Sequence, residues 1–100
     1  MTEPIDIAVD RNLRPLMPKF FAVRKDELGR IKAANAAGDF LALKRIGHTL
    51  HGTASSYGFF RLGEIGSQVE AAAGARDTSA IALLVTELED HLERVRVRYV

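Results

Sequence analysis

Residues 39–58 read DFLALKRIGHTLHGTASSYG, and this stretch decides the fold. Its positions Phe40, Leu43, Ile46, Gly47, Leu50, Ala54 and Tyr57 recur at steps of three and four, the period of a helix that buries one face. Asp39 stands where a carboxylate caps the first turn, and Gly58 where the helix closes. Read in the same steps, the opposite side carries Leu41, Arg45, His48, Gly52 and Ser55. His48 is therefore expected on the outside of the helix, beside small residues. A glycine such as Gly52 costs about 0.8–1 kcal/mol of helix propensity relative to alanine. Close approach of another surface to the imidazole would compensate, because no side chain obstructs it at that position.

Upstream, Leu13, Leu16, Met17, Phe20, Phe21, Leu28, Ile31 and Ala34 predict a first helix over 12–37, with Met17, Phe20 and Phe21 in the core and Gly38 as a left-handed cap. Pro15 suits a first helical turn, whereas Pro18 either kinks the start or delays it by a turn. The second helix spans 39–57. A turn through Phe59 leads to a third helix over 60–73, with Leu62, Ile65, Gly66, Val69, Ala72 and Ala73 inward. After a break at 74–77, a fourth over 78–96 carries Ile81, Leu84, Val85, Leu88, Leu92 and Val95. Short links between four amphipathic helices predict an all-α, antiparallel up-and-down four-helix bundle, one domain over 1–100. The segment 1–11 is read as a short N-terminal extra, a loose turn or helix across the bundle. The alternation VRVRYV at 95–100 has the period of a strand, but a lone strand lacks a partner, so it is read as a last helical turn and a tail.

The chain of 100 residues is 47% hydrophobic, enough to fold without staples. It has no cysteine, which excludes disulfides, thiolate nucleophiles and zinc-cysteine sites and suits a reducing compartment. No apolar run approaches the roughly 18–20 residues that span a bilayer, and MTEPIDIAVD lacks the order of a secretion signal, so a cytoplasmic protein is expected. Fourteen basic and 13 acidic side chains leave a net charge of +1, which argues against nucleic acid or membrane as a partner. The local excess at Arg94, Arg96 and Arg98 is read as a solvated helix end, and His91 as a surface histidine on the polar side of the fourth helix.

If the turn at 57–59 sets the pairing of the second and third helices, positions equally distant from it lie level, which places Ser67 to Glu70 beside His48 to His51. Glu70 then reaches one ring nitrogen of His48. A carboxylate accepting from Nδ1–H fixes the tautomer and leaves Nε2 with its lone pair outward, a nucleophile with an orienter. His48, His51 and Glu70 lack a fourth ligand, so no metal site is expected. There is no glycine-rich phosphate loop, and so no kinase activity of the chain's own.

The stretch GDFLALKRIGHTLHGTASSYGFFRLGEIGSQVE resembles the histidine-containing phosphotransfer domain of multistep two-component signalling, and the likeness continues through PLMPKFFAVRKDEL and IALLVTELEDHLERV. The family's motif is a histidine, two residues, usually a lysine, then a glycine, a run of small residues and a second glycine at the turn. His48, His51, Gly52, residues 54–56 and Gly58 hold these places. The resemblance implies that His48 is the phosphoacceptor and that Glu70 orients its ring. Gly52 would admit the partner's loops. His51 departs from the usual lysine and would give weaker, pH-dependent help to the phosphoryl oxygens. Arg45, and less directly Lys44, would substitute.

By the same resemblance the chain would be a phosphoryl carrier rather than a classical enzyme. It would accept the group from an aspartyl-phosphate on a receiver domain, such as that of a hybrid sensor kinase, and pass it to a response-regulator receiver. No cofactor is expected on this chain, and Mg²⁺ would sit on the receiver during transfer. Leu41, Lys44, Gly52, Ser55, Phe59 and Ser67 are the expected partner contacts. A monomer is expected, since the helices enclose one another's apolar stripes. Met1 and the nearly complete bundle favour a free small protein. The rival reading is a non-catalytic helical adaptor that binds a signalling partner through the surface of the second and third helices.

Overall fold

Gly38 and Asp39 show how local chemistry sets the helix boundaries. Gly38 takes a left-handed φ of 68°, and its N–H returns to the carbonyls of Ala34 and Asn35. The Asp39 side chain then accepts the Ala42 N–H at 3.1 Å. Asp77 repeats the device on Ala80 N–H at 3.0 Å, and such caps each contribute about 0.5–2 kcal/mol.

A computed structural model describes residues 3–100. In chain order it contains β1 (Ile5–Val9), a 3-10 turn (Arg11–Leu16), α1 (Met17–Ala37), α2 (Phe40–Ser56), α3 (Phe60–Gly74), α4 (Thr78–Arg94) and β2 (Val95–Tyr99). The helices form the up-and-down four-helix bundle. Pro18 falls in the first turn of α1, where its missing N–H leaves no bond unmade, and the segment expected to open that helix at residue 12 is the 3-10 turn instead.

Both ends of the chain differ from expectation. Within the segment read as a loose turn or helix, Ile5–Val9 form β1, and the tail read as a helical turn contains β2. The two pair in parallel, from Ile5 with Val95 to Val9 with Tyr99. Helix α4 accordingly stops at Arg94, not 96. The alternation at 95–99 was a strand signal whose partner lay at the far end of the sequence. Ile7, Val9, Val95, Val97 and Tyr99 pack against the core, while Asp6, Arg96 and Arg98 face outward. Residues 1 and 2, part of the predicted N-terminal segment and including Met1, lie outside the described residues.

Phe20 links the strand end of the bundle to its centre. Its ring stacks on Tyr57 at 4.8 Å and Phe59 at 4.7 Å, while Phe21 meets Phe59 edge-on at 5.8 Å. Ile31, Leu43, Leu50, Leu62, Ile81 and Leu88 fill the layers beyond, each burial being worth about 1.5–3 kcal/mol. Two charged residues share this interior. Arg24 donates from Nε to Glu27 at 2.5 Å and lies over the Phe20 ring at 4.7 Å. Burial raises the Glu27 carboxyl above its ordinary value, against the lowering pull of Arg24.

His91 is not at the surface. It is only 4% exposed, on the α4 turn whose carbonyl accepts the Val95 N–H as β2 begins. The ring is close enough to Arg61 of α3 to feel its charge, so this turn of α4 is packed within the bundle rather than solvated, which the polar neighbours Asp90 and Glu93 do not announce. Burial, and then the Arg61 guanidinium, lower its imidazole below the ordinary range.

Candidate functional site

The site sits where α2 and α3 approach most closely, and glycines permit the approach. A Cβ on Gly47 would stand 2.6 Å from the Gly66 carbonyl oxygen and 2.8 Å from the Glu70 nitrogen. One on Gly63 would collide with the Ser55 hydroxyl. This contact carries Glu70 to the level of His48.

His48 projects from α2 with its side chain 74% exposed, and its Nδ1 lies 3.4 Å from Glu70 Oε2. That is an ion-pair separation, longer than the 2.7–3.2 Å or so of a full N–H···O hydrogen bond. Glu70 itself is 38% exposed. The ring stands between two shallow depressions. Leu41, Lys44, Arg45, Thr49 and Glu70 line one with it, and Thr49, Gly52, Thr53, Ser56 and Tyr57 line the other. Lys44 borders the ring's depression as Arg45 does, so both cations stand beside it. Nothing approaches Gly52 within 4 Å of where a Cβ would be, which leaves that side of His48 open.

Three expected contacts fall elsewhere. Phe59 is fully buried against Phe20 and Phe21 and cannot touch a partner; the residue exposed at the turn is Phe60, at 69%. Ser55 fills the space over Gly63 between the helices rather than extending the His48 stripe. His51 is drawn toward α3, its Nδ1 2.9 Å from the Gly63 carbonyl oxygen, and lines neither depression. Ser67 is exposed on α3. Thr49, Thr53 and Ser56 were missed. Their signal was the stripe Arg45, Thr49, Thr53, Ser56, with Gly52 beside it, which also steps by three and four and follows the helix's drift past His48. The Ser56 hydroxyl donates to the Gly52 carbonyl at 2.7 Å.

Among the described residues no group of three His, Cys, Asp or Glu side chains is placed to hold a metal ion. No helix among them is long and apolar enough to cross a membrane.

An exposed imidazole faced by a carboxylate stands on an open helical surface rather than in an enclosed cavity. The family model for the Hpt domain matches residues 16–98. The chain belongs to the Hpt domain family. Domains of this family are phosphoryl carriers of phosphorelays, not classical enzymes, and the proteins they meet there are receiver domains. Comparison with curated proteins and with solved structures gives no match.

Proposed function

We propose that His48 is the phosphoacceptor and that the chain shuttles a phosphoryl group between two receiver aspartates. The observation that carries this reading is the pairing of an exposed His48 with Glu70 across the α2–α3 contact. With Nδ1 protonated and facing Glu70, Nε2 on the far side of the ring keeps its lone pair. That lone pair attacks the phosphorus of an aspartyl-phosphate, a P–N bond forms as the bond to the aspartate oxygen breaks, and the imidazole becomes cationic. Glu70 offsets the new positive charge, and the second receiver reverses the step.

The same geometry divides the remaining labour. Arg45 and Lys44 are suited to the phosphoryl oxygens and to an acidic receiver surface, ahead of His51, whose Nδ1 is engaged by Gly63. Leu41, Gly52 and Ser67 supply rim contacts, with open space over Gly52 for a receiver loop. Mg²⁺ acts from the receiver's acidic pocket. The donor fits the receiver of a hybrid sensor kinase and the acceptor that of a response regulator, in the cytoplasm, with this chain monomeric. The test is incubation with a phosphorylated receiver and Mg²⁺. Wild type should acquire acid-labile, base-stable label and His48→Gln none; equal labelling of both, or of neither, refutes the assignment and leaves the adaptor reading.

A further inference from the structure

The strand pair has one open edge. The N–H of Val100 bonds to the Val9 carbonyl at 2.9 Å and the N–H of Arg11 to the Val100 carbonyl at 3.0 Å. With the register Val9 to Tyr99, these bonds fix the parity of the ladder: Arg96, Arg98 and Val100 turn their backbone groups toward β1. The N–H and C=O groups of Val97 and Tyr99 therefore point away from it, and they find no partner among the described residues. The outer edge of β1 is different, since the Ala8 carbonyl faces Gly58 in the α2–α3 turn.

Charge marks the open edge. Arg96 and Arg98 project from its outward face, and Arg11 and Arg14 flank its end, where the Arg14 guanidinium lies 5.1 Å from the centre of the Tyr99 ring. All four are exposed, and none takes part in an ion pair among the described residues. A second copy is a poor occupant: antiparallel pairing of two β2 strands centred on Val97 sets Arg96 against Arg98 of the other copy, like charges directly opposed. Nucleic acid fits less well than peptide, because it offers nothing to the alternating donors and acceptors of the edge and the Tyr99 ring is already covered by Arg14.

We propose that β2 is a docking edge for an extended acidic peptide segment, which adds as a third strand and sets alternate carboxylates against Arg96 and Arg98. Backbone pairing supplies the affinity and the arginines the choice of partner. None of these residues lines the depressions beside His48, so the site is separate from phosphoryl transfer.

The probe is the peptide acetyl-TEVEVEVT-amide, followed by amide chemical shifts and hydrogen exchange on the full chain. Binding should saturate, shift the Val97 and Tyr99 amides and slow their exchange. The double change Arg96→Gln, Arg98→Gln should weaken it by about tenfold or more, while Arg96→Lys, Arg98→Lys retains it. A proline in place of the central valine keeps the charge and should abolish binding to wild type, an arm that needs no variant to fold. His48→Gln should bind as wild type does, so failure here and failure of the relay reading are told apart. Equal binding of the proline peptide or of a thymidine oligonucleotide of equal charge, or no response at Val97 and Tyr99, overturns the proposal.

Discussion

Gly66 and Gly47 meet backbone to backbone: a Cβ on Gly66 would stand 2.7 Å from the Gly47 carbonyl oxygen and 2.5 Å from the His51 nitrogen. Neither backbone segment can yield without parting α2 from α3. Gly66→Ala is therefore expected to destabilise the bundle by about 1–3 kcal/mol, read from urea unfolding, and to slow labelling of His48 by a receiver because Glu70 recedes with α3. Gly52→Ala meets no such obstacle and should unfold at or above the wild-type midpoint.

Removing the carboxylate at Glu70 separates orientation from stability. The pair with His48 is exposed and 3.4 Å long, so Glu70→Ala should change unfolding free energy by no more than ~0.5 kcal/mol. Transfer from a phosphorylated receiver should slow by roughly tenfold or more, with Glu70→Gln between the two. Unchanged stopped-flow rates for both variants would deny Glu70 its orienting role.

Lys44 and Arg45 border the same depression as His48 and are exposed. Reversing both charges should lower the bimolecular transfer rate by about tenfold in dilute buffer, and the deficit should shrink near ~0.5 M salt as screening removes the steering. A deficit independent of salt would mean direct contact with the phosphoryl group instead.

His91 makes stability depend on pH. The unfolded imidazole takes a proton near its ordinary 6.5, whereas burial and then Arg61 hold the folded one below that value, with Asp90 opposing. Above 6.5 both states are neutral and the contribution is fully present. As pH falls below 6.5 the unfolded chain binds the extra proton, and stability is lost progressively until the folded ring titrates in turn. Urea unfolding from neutrality down to about pH 5 should therefore fall more steeply for wild type than for His91→Gln. Parallel curves would show that His91 titrates alike in both states.

The helices were legible because each announces itself locally: Asp39 and Asp77 as caps, Gly38 as a stop, and apolar residues at three and four residue steps between them. The level of Glu70 with His48 was legible too, since a tight turn makes antiparallel partners computable by symmetry. What escaped depends on residues distant in sequence. Val95 to Tyr99 carried a strand period, and so did Ile5 to Val9, where Ile5, Ile7 and Val9 alternate with Asp6 and Ala8, but each short run lacks a partner nearby in the sequence. His91 looked solvated because its sequence neighbours are polar, while the side that buries it includes Arg61 of α3. Phe59 and Ser55 were misplaced by a smaller error: one residue at the turn decides whether Phe59 or Phe60 enters the core, and the stripe through Ser55 curves into Gly63.

The parallel strands also set an order of assembly. Neighbouring helices find one another through short loops, but β1 and β2 meet only after the whole bundle has brought remote segments together, so the ladder closes late and opens early. Amides of Ile7 and Arg98 should lose protection before those of Leu50 and Ile65, making the staple between the extremities the first part of the molecule to melt.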